Sequence, residues 1–284
     1  MSDDLAVWRQ WIGRGETRED FAAPFPPHAL IQTFDTGDPR LETGDALPPL
    51  WHWLYFLDTT ARSKLGPDGL PGRGDFMPPV SLPRRMWAGS RFTFHDVPLK
   101  LGDGLRRESA ITAIEGKSGS TGEMVFVTVR HRIFGGAGLA VEEEIDGVYR
   151  EAARPGEVQK AGRPAPTDAT WSKTIKPDPV LLFRFSALTF NPHRIHYDQP
   201  YATTAEGYPG LIVHGPLMCL LQVELARRSV PDRRMKSFAL RALAPVYDRA
   251  PFDVQARREA DGSVTTWIRD PQGAMAQQGK AVFA

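Results

Sequence analysis

The sequence contains two successive series of short strand-like segments, and this repetition restricts the fold more than any other feature. Each series has four segments separated by turn-forming residues such as Gly102-Asp103-Gly104, and each follows one segment with helical periodicity. Alternation is clearest where Val125, Val127 and Val129 share one face of a strand. The first series comprises a predicted helix at 50–57 and predicted strands at 91–97, 105–114, 124–133 and 139–149.

The second half repeats this order, with Asp261-Gly262 as a strong turn signal. A predicted helix at 217–228 precedes predicted strands at 237–247, 252–259, 264–269 and 274–283, and a further short strand is predicted at 180–185. A duplicated α+β unit explains the order better than two unrelated domains.

A segment near the middle of the chain, residues 154–179, is rich in proline, alanine, lysine and threonine and lacks an apolar period. Such composition is typical of a linker. We therefore predict an N-terminal unit at 1–153, a linker at 154–179 and a C-terminal unit at 180–284. Histidines follow Asn191-Pro192 in the second unit and are absent from the corresponding place in the first, so the first unit is predicted to be degenerate.

Charge and cysteine content narrow the classes of function. The formal net charge of +1 argues against a dedicated nucleic-acid binder. The single cysteine, Cys219, has no partner for an intramolecular disulfide, which suits a reducing compartment. The segment from Met1 to Arg9 has two acids and no apolar stretch long enough for a signal peptide, and no later apolar run reaches about 18 residues, so we expect a cytoplasmic protein without a membrane span.

Polar residues are concentrated at 191–198, between apolar flanks. Asn191-Pro192 is expected to turn the chain. If the following residues are extended, Arg194, His196 and Asp198 project to one side. His196 can titrate near neutral pH, which makes it the principal candidate for proton transfer.

Two alternatives apply to these histidines. His196 can instead be a structural residue that hydrogen-bonds the turn. His193 and His196 can form a metal-binding pair, but no third ligand follows nearby, so no metal site is predicted.

Gly215-Pro216 opens the predicted helix of the second half. Proline suits the first helical position, and glycine lets a ligand approach the backbone. The free amides at this helix start can stabilise the oxyanion of a thioester carbonyl, which makes Gly215 a catalytic candidate. The alternative is an ordinary helix start with a closely packed glycine.

At these residues the chain resembles the R-specific enoyl-CoA hydratases and MaoC-like dehydratases. Their motif reads Gly-Asp-x-Asn-Pro-hydrophobe-His-x-Asp, followed by a His-Gly helix start. Residues 196–198 match the end of the motif, and His214-Gly215 matches the helix start. The resemblance implies an α+β double hot-dog fold, in which each of two tandem units has a central helix wrapped by an antiparallel β-sheet.

The sequence at 188–198 resembles more specifically the mitochondrial-type 3-hydroxyacyl-thioester dehydratases and the mesaconyl-C4-CoA hydratases. Segments at 11–14, 48–53 and 83–89 agree, so the similarity covers nearly the whole chain. It implies a carbon–oxygen lyase that adds or removes water across the 2,3-bond of an acyl thioester, possible substrates including mesaconyl-C4-CoA and citramalyl-CoA. No cofactor is expected.

The chain departs from the family motif at its catalytic residue. Asn191 stands where the family has the catalytic aspartate, and His193 stands where it has asparagine. Because an asparagine cannot act as a general base, we predict that Asn191 positions the water and His196 carries the proton. His193 or Asp198 would then orient or tune His196.

A thioester substrate implies coenzyme A or acyl carrier protein, whose phosphates require cations. The predicted substrate-binding residues are Arg84, Arg85, Trp87, Arg194, Asp198 and His214. A dicarboxylic acyl group such as mesaconyl would need one further cation. The aromatic residues Trp51, Trp53, Tyr55, Phe56 and Trp87 either cap the acyl pocket or pack in the core.

Two other functions compete with the hydro-lyase prediction, namely a hot-dog acyl-CoA thioesterase and a non-catalytic acyl-CoA-binding protein. The replacement of aspartate by asparagine argues against the thioesterase, which needs a carboxylate at the site. Two units in one chain would form a pseudo-dimer, and further pairing into a homodimer is left open.

Overall fold

The computed structural model describes residues 2–119, 122–151 and 162–284, and their strands form one continuous antiparallel sheet. The strands are β1 (Gly15–Phe21), β2 (Arg84–Phe94), β3 (Gly104–Gly119), β4 (Gly122–Gly135), β5 (Gly138–Arg150), β6 (Trp171–Ile175), β7 (Met235–Ala242), β8 (Phe252–Arg258), β9 (Val264–Arg269) and β10 (Met275–Phe283). The α-helices are α1 (Ser2–Trp8), α2 (Phe25–Phe34), α3 (Pro179–Leu188) and α4 (Gly215–Ser229).

The strand order confirms the predicted duplication. It runs β1-β3-β4-β5-β2-β7-β10-β9-β8-β6, so two five-stranded halves of the same order meet where β2 pairs with β7. In each half the first strand is followed by a helix, β1 by α2 and β6 by α3. The eight strands predicted for the two series are present, and Val125, Val127 and Val129 are buried as their alternation predicts.

The short strand predicted at 180–185 is wrong, because these residues belong to helix α3. The Asp178 side chain caps the helix by accepting a hydrogen bond from the N–H of Leu181 at 2.9 Å. Leu182 and Phe185 are buried, while Phe183 between them is exposed. Burial at a spacing of three residues is typical of a helix. In a short run made up almost entirely of apolar residues, this spacing cannot be distinguished from that of a buried strand.

The helix predicted at 50–57 is also wrong, since only a short 3-10 turn forms at Trp51–Leu54. Leu50 and Phe56 have φ angles of 70° and 57°, which is left-handed backbone that ends a helix on either side. Within the described residues, the first half therefore lacks the long central helix that the resemblance implies for each unit.

The second half does contain its central helix, α4, which lies against strands β6–β10. Leu217 and Val223 are fully buried against the sheet, and Cys219 is a buried free thiol. Each fully buried aliphatic side chain contributes roughly 1.5–3 kcal/mol to folding, so this helix is firmly held in the core.

The predicted linker is partly built into the sheet. Strand β6 pairs with β8, and Pro164 bridges to Ala274, whereas residues 154–161 lie outside the described residues. The second half of the sheet therefore starts inside the predicted linker, and the division into units at 1–153 and 180–284 stays a prediction. None of the helices in the described ranges is both long and apolar enough to cross a membrane.

The junction between β2 and β7 requires a glycine at position 89. Gly89 has a φ of 156°, and a Cβ there would collide with the carbonyl oxygen of Leu240 on β7.

We predict that Gly89→Ala destabilises the protein by roughly 2 kcal/mol or more, because the two strands must separate or strain. Urea unfolding measures this. Gly104→Ala is the matched control, since a Cβ at position 104 meets no atom within 4 Å; equal effects of the two changes would contradict the prediction.

Candidate active site

The candidate catalytic turn, residues 190–198, follows α3, and the chain leaves the helix through Phe190 in the left-handed region, with φ of 47°. The N–H of Asn191 donates to the carbonyl oxygen of Ser186 at 2.8 Å. The Oδ1 of Asn191 accepts from the N–H of His193 at 3.0 Å. Asn191 therefore forms the expected turn, and its side-chain oxygen is used to hold that turn.

The residues after this turn are not extended, contrary to the sequence prediction. Residues Arg194–His196 form a 3-10 turn, so Ile195 and His196 are buried while Tyr197 is exposed. Arg194 and Asp198 pair with each other at 2.8 Å. Asp198 also accepts from the N–H of Tyr201 at 3.1 Å and makes no hydrogen bond to His196 among the described residues, so the structure gives it no orienting role.

The orienting partner of His196 is a backbone carbonyl. Nδ1 of His196 lies 2.7 Å from the carbonyl oxygen of Ile212. Because a carbonyl only accepts, Nδ1 must carry the proton, which leaves the lone pair of the neutral ring on Nε2. Ile212 is itself held, because its N–H donates to the carbonyl oxygen of Ile195 at 3.0 Å.

Three imidazole rings meet at this point. His214 stacks on His196 with ring centroids 3.7 Å apart, and His193 lies edge-on to His196 at 5.5 Å. Nε2 of His214 is 2.8 Å from the hydroxyl of Ser186 on α3, which fixes the plane of its ring. No group of three or more His, Cys, Asp or Glu residues in the described ranges is arranged to hold a metal ion.

Burial keeps these rings neutral. It lowers the pKa of His196 to about 3 and the pKa of His193 to about 4. The pKa of His214 also lies well below its ordinary value, because of burial and the adjacent histidines. A neutral imidazole accepts a proton without first having to lose one, so the site contains a potential base at neutral pH.

Helix α4 begins beside the stacked pair, since His214 directly precedes its first residue, Gly215. The first helical bond runs from the N–H of Met218 to the carbonyl oxygen of His214 at 3.1 Å. No described residue accepts a hydrogen bond from the N–H groups of Gly215 and Leu217. These amides, at the positive end of the helix dipole, are available to an anionic oxygen.

The start of α4 is fixed by a buried chain of polar side chains. Nε2 of Gln277 donates to the carbonyl oxygen of Gly215 at 3.0 Å, and its Oε1 accepts from Gln222 at 2.9 Å. The hydroxyl of Thr266 donates to Gln222 at 2.8 Å. This chain links the helix start to strands β9 and β10.

The first half supplies one wall of the site through Trp87 on β2. A Cβ at Gly215 would lie 2.7 Å from Cε3 of Trp87. The indole N–H of Trp87 donates to the hydroxyl of Ser90 at 3.0 Å, which holds the ring in place. The structure therefore brings His196, His214, Gly215 and Trp87 together, as the sequence predicted for one site.

The three predicted arginines occupy different places. Arg84 donates to the hydroxyl of Tyr208 and lies 3.9 Å from Glu206. Arg194 is paired with Asp198 at the outside of the catalytic turn. Arg85 pairs with Asp68 at 3.1 Å and is close enough for its charge to lower the pKa of His193, in addition to burial.

Most of the predicted aromatic cap belongs to the core. Trp51, Tyr55 and Phe56 are buried in the main core, and Trp53 packs against it. The indole N–H of Trp51 donates to Glu224, and that of Trp53 donates to Glu143, both at 2.9 Å. Core packing is thus the better interpretation of these four residues, and Trp87 alone borders the site.

Sequence reasoning missed Ser186, the carbonyl of Ile212, and a loop at 64–72 from the first half. Ser186 lies one residue beyond the strand predicted at 180–185, and helical spacing from Leu182 would have placed it on a buried face. The loop lies directly on the catalytic turn: the carbonyl oxygen of Asp68 accepts from the N–H of Arg194 at 2.9 Å, and a Cβ at Gly69 would collide with the carbonyl oxygen of Pro192.

The depressed histidine pKa values predict loss of stability in mild acid. Between pH 6.5 and about 3 the unfolded chain binds more protons than the folded protein, so stability falls as the pH falls through this window. His196 and His193 each cost roughly 2 kcal/mol at pH 5 relative to neutral pH. Urea unfolding at pH 7.5 and pH 5.0 measures this, and His196→Gln should reduce the difference. An unchanged difference in that variant would contradict the assignment.

The contact between Gly215 and Trp87 gives a second prediction. Gly215→Ala should destabilise the protein by roughly 1–3 kcal/mol, because its methyl group meets the indole ring. In a Trp87→Ala background the same change should cost much less, so the double-mutant cycle isolates the contact. Equal costs in both backgrounds, measured by chemical denaturation, would show that the glycine is needed for another reason.

The comparisons with known proteins agree with this architecture. The family model for hydroxyacyl-thioester dehydratase type 2 matches residues 50–248. The chain is 46% identical to the mesaconyl-C(4)-CoA hydratase of Chloroflexus aurantiacus, over 95% of this chain and 96% of that protein. It is 29% identical to the mitochondrial hydroxyacyl-thioester dehydratase type 2 of Schizosaccharomyces pombe, over 74% of this chain and 77% of that protein.

Solved structures show the same fold. A MaoC-like dehydratase from Phytophthora capsici has a TM-score of 0.69 at 16% identity and covers 96% of both chains. Rv0216 from Mycobacterium tuberculosis, described as a double hot-dog protein, has a TM-score of 0.55 at 14% identity and also covers 96% of both chains. The fold is therefore a double hot-dog, and the chain belongs to the hydroxyacyl-thioester dehydratase type 2 family.

Proposed function

We propose that this protein is a hydro-lyase that interconverts mesaconyl-C4-CoA and citramalyl-CoA. The observation that carries the proposal is the neutral His196, which keeps the lone pair of Nε2 and stacks on His214, the residue directly before the free amides at the start of α4. The 46% identity to a mesaconyl-C(4)-CoA hydratase over nearly the full length of both chains supports this substrate and the coenzyme A carrier.

The reaction needs a base for water and a stabiliser for negative charge. In the hydration direction, Nε2 of His196 takes a proton from water as the water oxygen bonds to carbon 3 of the acyl group. The electron pair of the double bond moves onto the thioester oxygen, which the Gly215 amide and the dipole of α4 stabilise. His196 then returns the proton to carbon 2, which completes the addition of water.

The low pKa of His196 is compatible with this role because both charges form together. Burial opposes an isolated imidazolium at this position. The oxyanion of the enolate forms at the same time on the other side of the substrate, and the two opposite charges stabilise each other in a site of low polarity. The protonated base is thus favoured only while the intermediate exists.

Asn191, His193 and His214 are proposed to position the reacting groups. Because Oδ1 of Asn191 is engaged with the N–H of His193, the side-chain amide of Asn191 is the group that holds the water. His193 and His214 confine the ring of His196 edge-on and face-on. The Ile212 carbonyl orients the base, a role that the sequence had suggested for His193 or Asp198.

The same geometry favours a hydro-lyase over a thioesterase. Among the described residues no carboxylate is hydrogen-bonded to His196, and the nearest acid in the sequence motif, Asp198, is paired with Arg194. Water activated by His196 without a carboxylate suits addition to a conjugated double bond. Arg84 and Arg194, at the margin of the site, are proposed to contact coenzyme A phosphates.

His196→Ala should lower kcat for hydration of mesaconyl-C4-CoA by about 10³-fold or more, because it removes the base. The loss of the conjugated double bond on adding water gives the assay. His95→Ala is the matched control, because His95 lies in the first half, where its ring contacts the carboxylate of Glu142. This variant should keep full activity. Substantial turnover by a folded His196→Ala protein would overturn the proposed mechanism.

A further inference from the structure

Two arginines of the first half, Arg73 and Arg85, are associated with the loop at 64–72 that lies on the catalytic turn, and among the described residues a single carboxylate, that of Asp68, pairs with either of them. Arg85 pairs with Asp68 at 3.1 Å, whereas Arg73 makes no hydrogen bond or ion pair to Asp68 among the described residues. No second acid among the described residues forms an ion pair with either arginine. Counting Asp68 as one negative charge leaves one net positive charge next to the neutral His193.

Arg73 makes its hydrogen bonds to uncharged groups. Its guanidinium donates to the carbonyl oxygens of Val80, Leu82 and Pro83. It also lies over the ring of Tyr149, with 5.1 Å from Cζ to the ring centroid. These contacts fix the loop but do not neutralise the charge.

Arg85 is incompletely satisfied. Nη2 pairs with Asp68 at 3.1 Å, and Nη1 donates to the carbonyl oxygen of Pro71 at 2.9 Å. Its Nε is buried, and no described residue accepts a hydrogen bond from it. Because buried N–H groups of charged side chains are seldom left without an acceptor, this edge of the guanidinium is suited to an oxygen of a ligand.

The position of Arg85 relative to the reacting atoms is set by the loop at 64–72. Asp68, the partner of Arg85, accepts through its backbone carbonyl from the N–H of Arg194 in the catalytic turn. Burial lowers the pKa of His193, the charge of Asp68 opposes this, and the charge of Arg85 lowers the pKa further. Arg84, the neighbouring residue on β2, is directed instead to Tyr208.

We propose that Arg85 binds a carboxylate group attached to carbon 3 of the acyl chain, and thereby selects dicarboxylic thioesters over neutral ones. This rests on the proposed function for the identity of the reacting carbon. In mesaconyl-C4-CoA, counted from the thioester carbonyl, carbon 3 carries both a methyl and a carboxylate group. The carboxylate is therefore one bond from the atom that water attacks, and its cation must lie beside the catalytic turn.

A neutral acyl group at the same position would leave Arg85 without this acceptor. Sites built around a buried polar group reject analogues that cannot pair with it, because the unpaired group is then desolvated without compensation. Arg85 is thus a specificity-determining residue contributed by the half that lacks the catalytic motif.

Binding of two saturated thioesters tests the proposal without any need for turnover. The C4 coenzyme A thioester of 2-methylsuccinate and isovaleryl-CoA differ only by a carboxylate in place of a methyl group. Titration calorimetry gives Kd for both with the wild type, Arg85→Gln and Arg85→Lys. Arg91→Gln is the matched control, since Arg91 lies on the same strand but pairs with Glu144 and Asp146 on the exposed face.

The wild type and Arg91→Gln should bind the methylsuccinyl thioester more tightly than isovaleryl-CoA. Arg85→Gln should weaken methylsuccinyl binding by roughly 30-fold or more and change isovaleryl binding less than threefold, whereas Arg85→Lys should retain part of the preference. Equal weakening of both ligands in Arg85→Gln, or a preference that survives it, would overturn the proposal. The isovaleryl Kd also reports whether the variant has kept its fold.

Turnover separates this proposal from the proposed function. One outcome is that the wild type shows the Arg85-dependent preference in binding and yet hydrates neither mesaconyl-C4-CoA nor its neutral isostere, 3-methylcrotonyl-CoA. In that case the carboxylate site is supported and the hydro-lyase function is contradicted. If instead the wild type hydrates both thioesters equally well, and Arg85→Gln hydrates each at the wild-type rate, the hydro-lyase function is supported and the carboxylate site is contradicted.

Discussion

The pairing of β2 with β7 is the constraint on which the rest of the molecule depends. It joins two five-stranded halves into one sheet and requires the close approach of Gly89 to the backbone of Leu240. Because the start of β2 carries Arg85 and Trp87, the same pairing places first-half side chains beside the second-half helix start. One seam of backbone hydrogen bonds thus completes the sheet and the candidate site together.

Burial governs the electrostatics of that site. The histidines are neutral because solvent is excluded from them, and His196 has its tautomer set by the carbonyl of Ile212. In the proposed mechanism, a base of this kind is protonated only when opposite charge develops nearby, which the amides of α4 permit on the thioester oxygen. The burial of apolar surface that stabilises the fold therefore also keeps His196 neutral.

The first half lacks a central helix among its described residues, and it contributes a loop to the candidate site instead. Where the second half has α4, the first has the 3-10 turn Trp51–Leu54, followed by about thirty residues before β2. Part of that long connection, the loop at 64–72, lies on the catalytic turn and holds Arg85 through Asp68. The half without the candidate catalytic histidines is consequently part of the candidate active site, as a wall and a support.

The sequence by itself determined the duplicated strand series, helix α4 and the grouping of His196, His214 and Gly215, because alternation, helical periodicity and a short motif are local properties of the chain. It misplaced α3 and the 50–57 segment, since a short apolar run does not distinguish a buried helix turn from a strand. Only the tertiary structure decided that Ile212 rather than Asp198 holds Nδ1 of His196, that the charge of Arg85 acts on His193 while Arg194 is paired with Asp198, and that Trp87 reaches Gly215. Each of these contacts depends on how segments distant in sequence pack against each other. Residue spacing and composition do not predict that packing.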